Sequence, residues 1–419
     1  MLALGFSAGL PLLMVFGTLS VRLREAGVPV TTIGLFSWLA LAYSLKFIWS
    51  PVIDAFDVPV LARLLGRRRA WMVTCQAVIV LGLLGAGLTD PTSSIAITAA
   101  FTFVVAFGSA TQDVVIDGWR IDAAPLEMQG IMAAAYQLGY RLALLCAGAG
   151  ALYIAEFVNW QVAYFSMAAL VVVGFVAALL SPVVDRAPGS LAGKPVRFSF
   201  TAAVKEPVAD LYRRTGKTLI PILALVALYR LPDFVAGVMA NPLYVDLGFS
   251  KVDIANVAKL YGIWIGIVGA FVGGIFVSKL GLYRTMLLGA AMSAVSHLLF
   301  AWLTFQGARI GALVLVISAD NFAGSFSGTA LIAYMSGLTA AGFSATQYAL
   351  LSSLYALPGK LVGGISGFIV AAYGYAAFFA MTAGIAVPVL VLIYLVRRSP
   401  AGGLQPLAPA EPEDAEASA

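Results

Sequence analysis

The chain has 419 residues, of which 61% are hydrophobic and only 11% charged, and its mean hydropathy is +0.96. Soluble domains carry about 25% charged residues, so this composition excludes an ordinary soluble domain and points to a chain solvated by lipid. The net charge of +5 would suit a nucleic-acid binder, but the basic residues are dispersed between apolar runs rather than gathered on one segment. Cys75 and Cys146 both lie inside apolar runs and imply no disulfide framework. No cleavable signal peptide is expected, because the first apolar run starts at Met1 without a basic segment before it.

A helix needs ~20 apolar residues to cross ~30 Å of hydrocarbon. Twelve such spans follow one another, at 3–21, 33–50, 71–88, 95–117, 130–155, 162–181, 218–245, 254–278, 284–304, 310–336, 343–370 and 374–396. Turn-rich or polar words separate them, among them AGVPVTT, TDPTSS, DLGFSKVD and TAAGFS. Span 2 holds Lys46 near its inner end, where a long side chain snorkels to the interface. Span 4 runs the uncharged IAITAAFTFVVAFG (95–108) into SATQDVVIDGWRID (109–122). There Asp113, Asp117 and Arg120 share one helical face at i, i+4 and i+7. Gln112 and Asp113 lie inside the span and are site candidates; Asp117 and Arg120 fall at its mouth and read as a gating ion pair. Span 5 brings Arg141, span 7 Arg230 and Asp233, span 8 Lys259, span 10 Asp320 and span 11 Lys360. The interiors of spans 3, 6, 9 and 12 carry no such charge.

Lys and Arg favour the cytoplasmic side of a membrane. Placing both termini in the cytoplasm leaves only Arg22, Arg24, Lys251 and Arg309 in outer loops, while the basic residues outside the spans otherwise fall inside the cell. The hydrophilic stretch 182–217 reads as a cytoplasmic linker that divides the chain into six-helix halves, 1–181 and 218–398. The Pro/Ala-rich acidic tail from 399 to 419 is expected to be disordered.

A weak repeat supports the halves: SPVID (50–54) and GRRR (66–69) follow span 2, and GIFVSKLGLYR (274–284) follows span 8. These loops resemble the signature of the major facilitator superfamily, with Asp54 in the acidic, gating position of the first half and Ser278 in its place in the second. The resemblance implies an all-α fold of two six-helix halves. In it, spans 1, 4, 7 and 10 line a central cavity, 2, 5, 8 and 11 flank it, and 3, 6, 9 and 12 sit outside. The charge map matches that arrangement. SATQ recurs at 344–347, but it opens span 11 there and lies deep in span 4 at 109–112, so the two are not equivalent.

An ionisable side chain near the bilayer centre costs at least ~2.5–3.5 kcal/mol and needs a partner or a wet cavity. Arg230 and Asp233, i and i+3 in YRLPDF, either neutralise each other or serve ligand binding or proton coupling. Pro232 between them should loosen the helix. Arg141, Lys259 and Lys360 have no acidic neighbour on their own helices and read as anion-binding. Asp113 and Asp320 are the leading proton carriers, with Asp233 beside them. His297, on a span expected to face outward, reads as a packing residue. Gly262, Gly266, Gly269 and Gly273 are spaced for close helix packing. Zinc-ligand spacing, a phosphate loop and a nucleophile elbow are all missing, so neither an enzyme nor a metal or other cofactor is expected, and transport energy comes from a gradient.

The words LGFSAGLPL (4–12), KFIWSPVID (46–54), GRRRAW (66–71), SATQDVVIDGWRID, LGYRLALL (138–145), LYRLPD (228–233) and FSATQYALLSSL (343–354) together resemble the AmpG-type muropeptide permeases. That resemblance implies a multi-pass protein of the bacterial inner membrane. It would import N-acetylglucosaminyl-1,6-anhydro-N-acetylmuramyl peptides by proton symport for cell-wall recycling. Such an anionic glycopeptide suits Arg141, Arg230, Lys259 and Lys360, with Gln112, Gln137, Tyr140, Asn321 and Tyr355 as hydrogen-bonding partners. The partners implied are the glycopeptide, protons and membrane lipids, with no nucleic acid and a monomeric chain. A permease of the same fold for another bulky anion, acetyl-CoA-like or a siderophore, remains open. So does a membrane-embedded enzyme or lipid scramblase.

Overall fold

Hydrocarbon offers backbone groups no water, so an apolar span must satisfy its own N–H and C=O groups and becomes a helix. The structure is a computed structural model that describes residues 1–49, 53, 56–123, 126–183, 209, 211–338 and 344–398. Among the described residues every regular element is helical. Most of the expected linker, the tail from 399 and Asp54 lie outside the described residues. Ten helical runs are long and apolar enough to cross a membrane, and Val30–Leu45 is a shorter apolar helix. Large apolar side chains such as Phe271 and Leu180, 72% and 79% exposed, cover the outside as lipid requires.

Several spans are broken. The first helix is interrupted at Phe16, between Leu2–Val15 and Gly17–Glu25. The seventh span is split at Arg230 into Leu219–Tyr229 and Leu231–Asp246. Pro232 opens the second piece, where its missing N–H costs nothing. The second span was expected to reach residue 50; its helix instead tightens into 3₁₀ turns at Ser37–Ala40 and Lys46–Ile48. Past Ser344–Gly363 the chain turns at Gly374, whose φ of 77° favours glycine, before running on through Ala386–Arg398. Wide π-turns occupy Cys146–Gly150 and Ile254–Tyr261. They pack against each other, and the backbone of Gly148 faces the stem of Lys259.

Small residues set how closely the helices approach. A Cβ on Gly139 would sit 1.9 Å from the Leu2 carbonyl oxygen, and one on Gly5 would sit 2.1 Å from that of Tyr136. The first and fifth spans therefore touch backbone to backbone, which fixes Tyr136 and Tyr140 beside the first helix. The glycines of the eighth span face the tenth, Gly269 against Phe322 and Gly273 against Phe326.

Leu10, Met14, Ile79, Val105, Tyr164 and Met167 form a core within the N-terminal helices. Ile222, Val226, Met286, Tyr334 and Ile393 form one within the C-terminal helices. A third cluster mixes the two sets: Val21, Ala149 and Leu152 pack with Met239, Leu243, Ile254, Phe300 and Phe379. The two sets are thus sealed together at the end that carries Glu25 and Lys251.

Candidate transport site

Between the first, second, seventh and eleventh spans lies a chamber of about 520 Å³. Its walls are mostly apolar (Leu12, Phe16, Leu19, Phe36, Phe234), with Tyr43, Tyr140, Asn241, Asp233 and Lys360 as the polar groups that matter. A smaller chamber of about 190 Å³ shares Asp233 and Gly237 with it and is lined by Arg230, Asp320, Asn321 and Ser325. The helix breaks explain the position: Phe16 and Asp233 both stand at or just past a break, on the spans that open each half.

On the N-terminal side, Asp113 is 14% exposed and has two partners. The Tyr136 hydroxyl donates to its Oδ1 at 3.3 Å, and the Lys46 ammonium stands 3.8 Å from its Oδ2. Lys46 therefore does not snorkel away from the bundle as expected; the Asp113 carboxylate on the facing helix holds it in. Lys360 crosses between the halves, donating to the Ser44 hydroxyl at 2.7 Å and to the Ala40 carbonyl at 3.3 Å. Trp38 Nε1 donates to the Leu361 carbonyl beside it at 3.0 Å. Gln112 is fully buried and donates to the Ser7 hydroxyl at 3.2 Å. In this conformation it ties span 4 to span 1 and does not open onto the chamber.

On the C-terminal side, Arg230 donates to the Gly324 carbonyl, to the Ser327 hydroxyl at 3.1 Å, and pairs through Nε with Asp233 Oδ2 at 3.2 Å. The Ser293 hydroxyl donates to Asp233 Oδ1, and that of Ser296 to Asp320 Oδ1 at 3.4 Å. Lys259 donates to Asn241 Oδ1 at 2.9 Å and has no ion pair with a described residue. Asn321 Nδ2 donates to the Ile317 carbonyl at 3.1 Å. Tyr355 stacks at a tilt on Phe234, ring centroids 5.9 Å apart. Gln137 and Arg141 are exposed on the fifth span and make no hydrogen bond to a described side chain, so the structure does not gather them with Lys360. Asp117 and Arg120 pair at 3.5 Å, the carboxylate half exposed.

Two expectations need correction. His297 does not face outward: it is 0% exposed, with Nε2 3.3 Å from Asp233 Oδ1. The ninth helix turns its polar stripe (Ser293, Ser296, His297) inward, and a span without acidic or strongly basic residues gave no sign of it. Arg22 is likewise no loop residue. It is 5% exposed and donates to the carbonyls of Ala86 at 2.7 Å and Thr89 at 2.5 Å.

A polar lattice at the sealed end escaped the sequence reading altogether. Arg24 grips Asp246 through two guanidinium nitrogens, and Lys251 pairs with Glu25 and, at 3.3 Å, with Glu156. Trp160 Nε1 donates to Glu25 at 2.6 Å, Tyr375 to Asp246 at 2.7 Å, and Tyr153 to Asn256. Arg24 and Asp246 are 222 residues apart, a separation at which no sequence spacing links them.

Known proteins resemble this arrangement and this sequence. A family model described as Acetyl-coenzyme A transporter 1 matches residues 1–159. The AmpG 4 transporter of Rickettsia felis is 36% identical over 400 residues, covering 94% of this chain and 95% of its own. The anhydromuropeptide permease of Escherichia coli K12 is 34% identical over 401 residues, covering 95% of this chain and 79% of its own. The chain belongs to the AmpG family of transporters. Among solved structures, a D-xylose-proton symporter superposes with a TM-score of 0.67 at 14% identity, covering 97% of this chain and 98% of its own. The nucleoside transporter NupG gives 0.66 at 15% identity, covering 94% and 96%. The fold of this AmpG-family chain is therefore of the major facilitator type: all-helical and multi-pass, around a central chamber. It is a transporter and not an enzyme.

Proposed function

We propose that this chain is an anhydromuropeptide permease of the bacterial inner membrane, importing N-acetylglucosaminyl-1,6-anhydro-N-acetylmuramyl peptides by proton symport. The observation that carries the reading is its 34% identity to the Escherichia coli anhydromuropeptide permease across 95% of the chain. The chamber suits such a cargo. About 520 Å³ falls in the ~300–1,000 Å³ range of small-molecule sites. Lys360 at its wall, with Lys259 and Arg230 near by, supplies cationic groups for lactyl and peptide carboxylates, and Tyr140, Tyr355 and Asn321 supply hydrogen bonds to sugar and amide groups. Arg141 and Gln137, level with the first turns of the first helix, belong to the cytoplasmic, exit side in this reading. Asp113, Asp233 and Asp320 carry or relay the coupled proton, and Asp54, Asp117 and Arg120 gate the cytoplasmic mouth.

The chain crosses the membrane twelve times with both termini in the cytoplasm, as two halves joined by the linker of residues 182–217, and acts as a monomer. The end sealed by Arg24, Glu25, Asp246 and Lys251 then faces the periplasm, which makes this conformation the inward-facing one. Proteoliposomes test the reading: labelled anhydromuropeptide should accumulate under an inward proton gradient and stop accumulating with an uncoupler. No uptake removes the substrate assignment, and uptake indifferent to the uncoupler removes proton coupling.

The family match over residues 1–159 favours a second reading, a permease for an acetyl-CoA-like anion. Competition of the same uptake by acetyl-CoA separates the two.

A further inference from the structure

The chain has a single histidine, and the fold places it in a cluster of buried charges in the C-terminal half that carries more carboxylates than cations. His297 Nε2 lies 3.3 Å from Asp233 Oδ1, and neither ring nitrogen makes a hydrogen bond of good geometry to a described residue. The seventh span contributes Arg230, Asp233 and the buried Tyr244, and the tenth contributes Asp320. Ser296, adjacent to His297, donates to Asp320, and Ser293, one turn away, donates to Asp233. The helices Gly262–Leu280, Ser366–Gly384 and Ala386–Arg398 also pack on this span, and among the described residues they bring no ion pair to His297. Two carboxylates therefore share one guanidinium. With a neutral imidazole the cluster holds one uncompensated negative charge inside the membrane, where a lone charge costs at least ~2.5–3.5 kcal/mol. One added proton removes it.

We propose that His297 holds the transported proton, sharing it with Asp320 and Asp233, and that Arg230 couples it to the cargo. The smaller chamber, which Arg230, Asp233 and Asp320 all line, gives water a route to the cluster. A proton from water on the periplasmic side binds Nε2 of the imidazole and leaves from the same atom to water on the cytoplasmic side, with no other bond made or broken. A cargo carboxylate that draws Arg230 toward itself leaves Asp233 without its cation, and the imidazolium replaces it. Cargo and proton thus favour each other's binding, and the favour is reciprocal. Asp233 and Asp320 then relay the proton and balance its charge, and His297 is where it rests. This inference rests on the proton-symport part of the proposed function.

One histidine means one imidazole signal. Full-length chain with ¹⁵N-labelled histidine and a histidine-free tag, in nanodiscs without cargo, is titrated by NMR between about pH 5 and pH 9. The imidazole should pass from charged to neutral within that range. In Asp320→Asn its charged-to-neutral ratio at a given pH should fall about tenfold, the equivalent of ~1.4 kcal/mol of lost charge interaction. An imidazole that stays in one state, or a ratio unmoved by Asp320→Asn, overturns the proposal. In proteoliposomes, His297→Gln should lower uncoupler-sensitive accumulation of anhydromuropeptide at least tenfold; accumulation at the wild-type level also overturns it. The NMR measurement needs no cargo. A wild-type protein that fails to carry anhydromuropeptide would sink the substrate assignment while leaving the histidine separately measured.

Discussion

At the scale of single residues, the charged groups within the membrane are held by unlike partners. Asp113 has a tyrosine hydroxyl and an ammonium 3.8 Å away, Lys259 has only an amide oxygen, and Lys360 has a hydroxyl and a carbonyl. A lysine satisfied by neutral acceptors keeps its charge available to an anion, whereas one paired with a carboxylate does not. Lys46 is therefore spent on Asp113, while Lys259 and Lys360 keep a charge that no described carboxylate pairs, as the proposed cargo site requires. Replacing Asp113 with Asn keeps the shape and removes the titratable group. The expected outcome is loss of gradient-driven accumulation with exchange of preloaded substrate retained, measured in the same vesicles; accumulation that persists would make Asp113 structural. The sequence marked Asp113, Lys259 and Lys360 because a charge inside an apolar run is conspicuous. It missed Tyr136, Asn241 and the inward setting of His297, because uncharged polar residues and an isolated histidine are ordinary inside long helices and only the neighbours give them a role.

At the scale of elements, two features decide how the helices meet. The first is backbone contact between the first and fifth spans. Gly139 admits no Cβ, since the Leu2 carbonyl oxygen would lie 1.9 Å from it. Gly139→Ala should separate the two helices and displace Tyr136 and Tyr140. Overpacking of this kind costs typically ~1–3 kcal/mol, so the thermal midpoint in detergent should drop by several degrees. A midpoint equal to wild type would show that the helices can slide apart freely. The second feature is the lattice of Arg24, Glu25, Glu156, Asp246 and Lys251. Exposed ion pairs are worth ~0.2–1 kcal/mol each, enough to bias two conformations without locking either. Asp246→Arg should raise the reactivity of a cysteine placed at Phe16 toward a reagent added from the periplasmic side severalfold. Adding Arg24→Asp, which restores the pair with its charges exchanged, should return it toward wild type. The apolar spans, their order and the glycine spacing of the eighth span were all readable in the sequence. The turn at Gly374 falls where the spans 343–370 and 374–396 were separated, but the break at Phe16 was not readable, because a helix break inside an apolar run leaves hydropathy unchanged.

At the scale of the whole molecule, orientation follows from charge and conformation from contact. Among the described residues the polar links between the halves lie at the sealed end or midway along, where Lys360 meets Ser44. The basic cluster Arg67–Arg69 lies at the other end, where Arg67 donates to the Ile53 carbonyl at 2.7 Å. A cysteine-free background, with Cys75 and Cys146 replaced, lets single cysteines report the topology. One at Asp90 or Gly307 should react with a membrane-impermeant maleimide in intact cells, and one at Gly66 or Gly281 only after permeabilisation. The reverse pattern would invert the whole arrangement.

Composition and hydropathy, by themselves, determined that this chain lives in lipid, that it folds as helices in two sets, and that charged side chains inside those helices mark its interior. They do so because a backbone in hydrocarbon has one cheap solution and a buried charge cannot be accidental. The motif words carried the family. Which charges touch was decided only by the tertiary structure: Arg24 finding Asp246, Lys46 finding Asp113, and His297 turning from the supposed outer face to Asp233. Those pairings join residues from different helices, and periodicity along one helix fixes what shares a face but not what that face will meet.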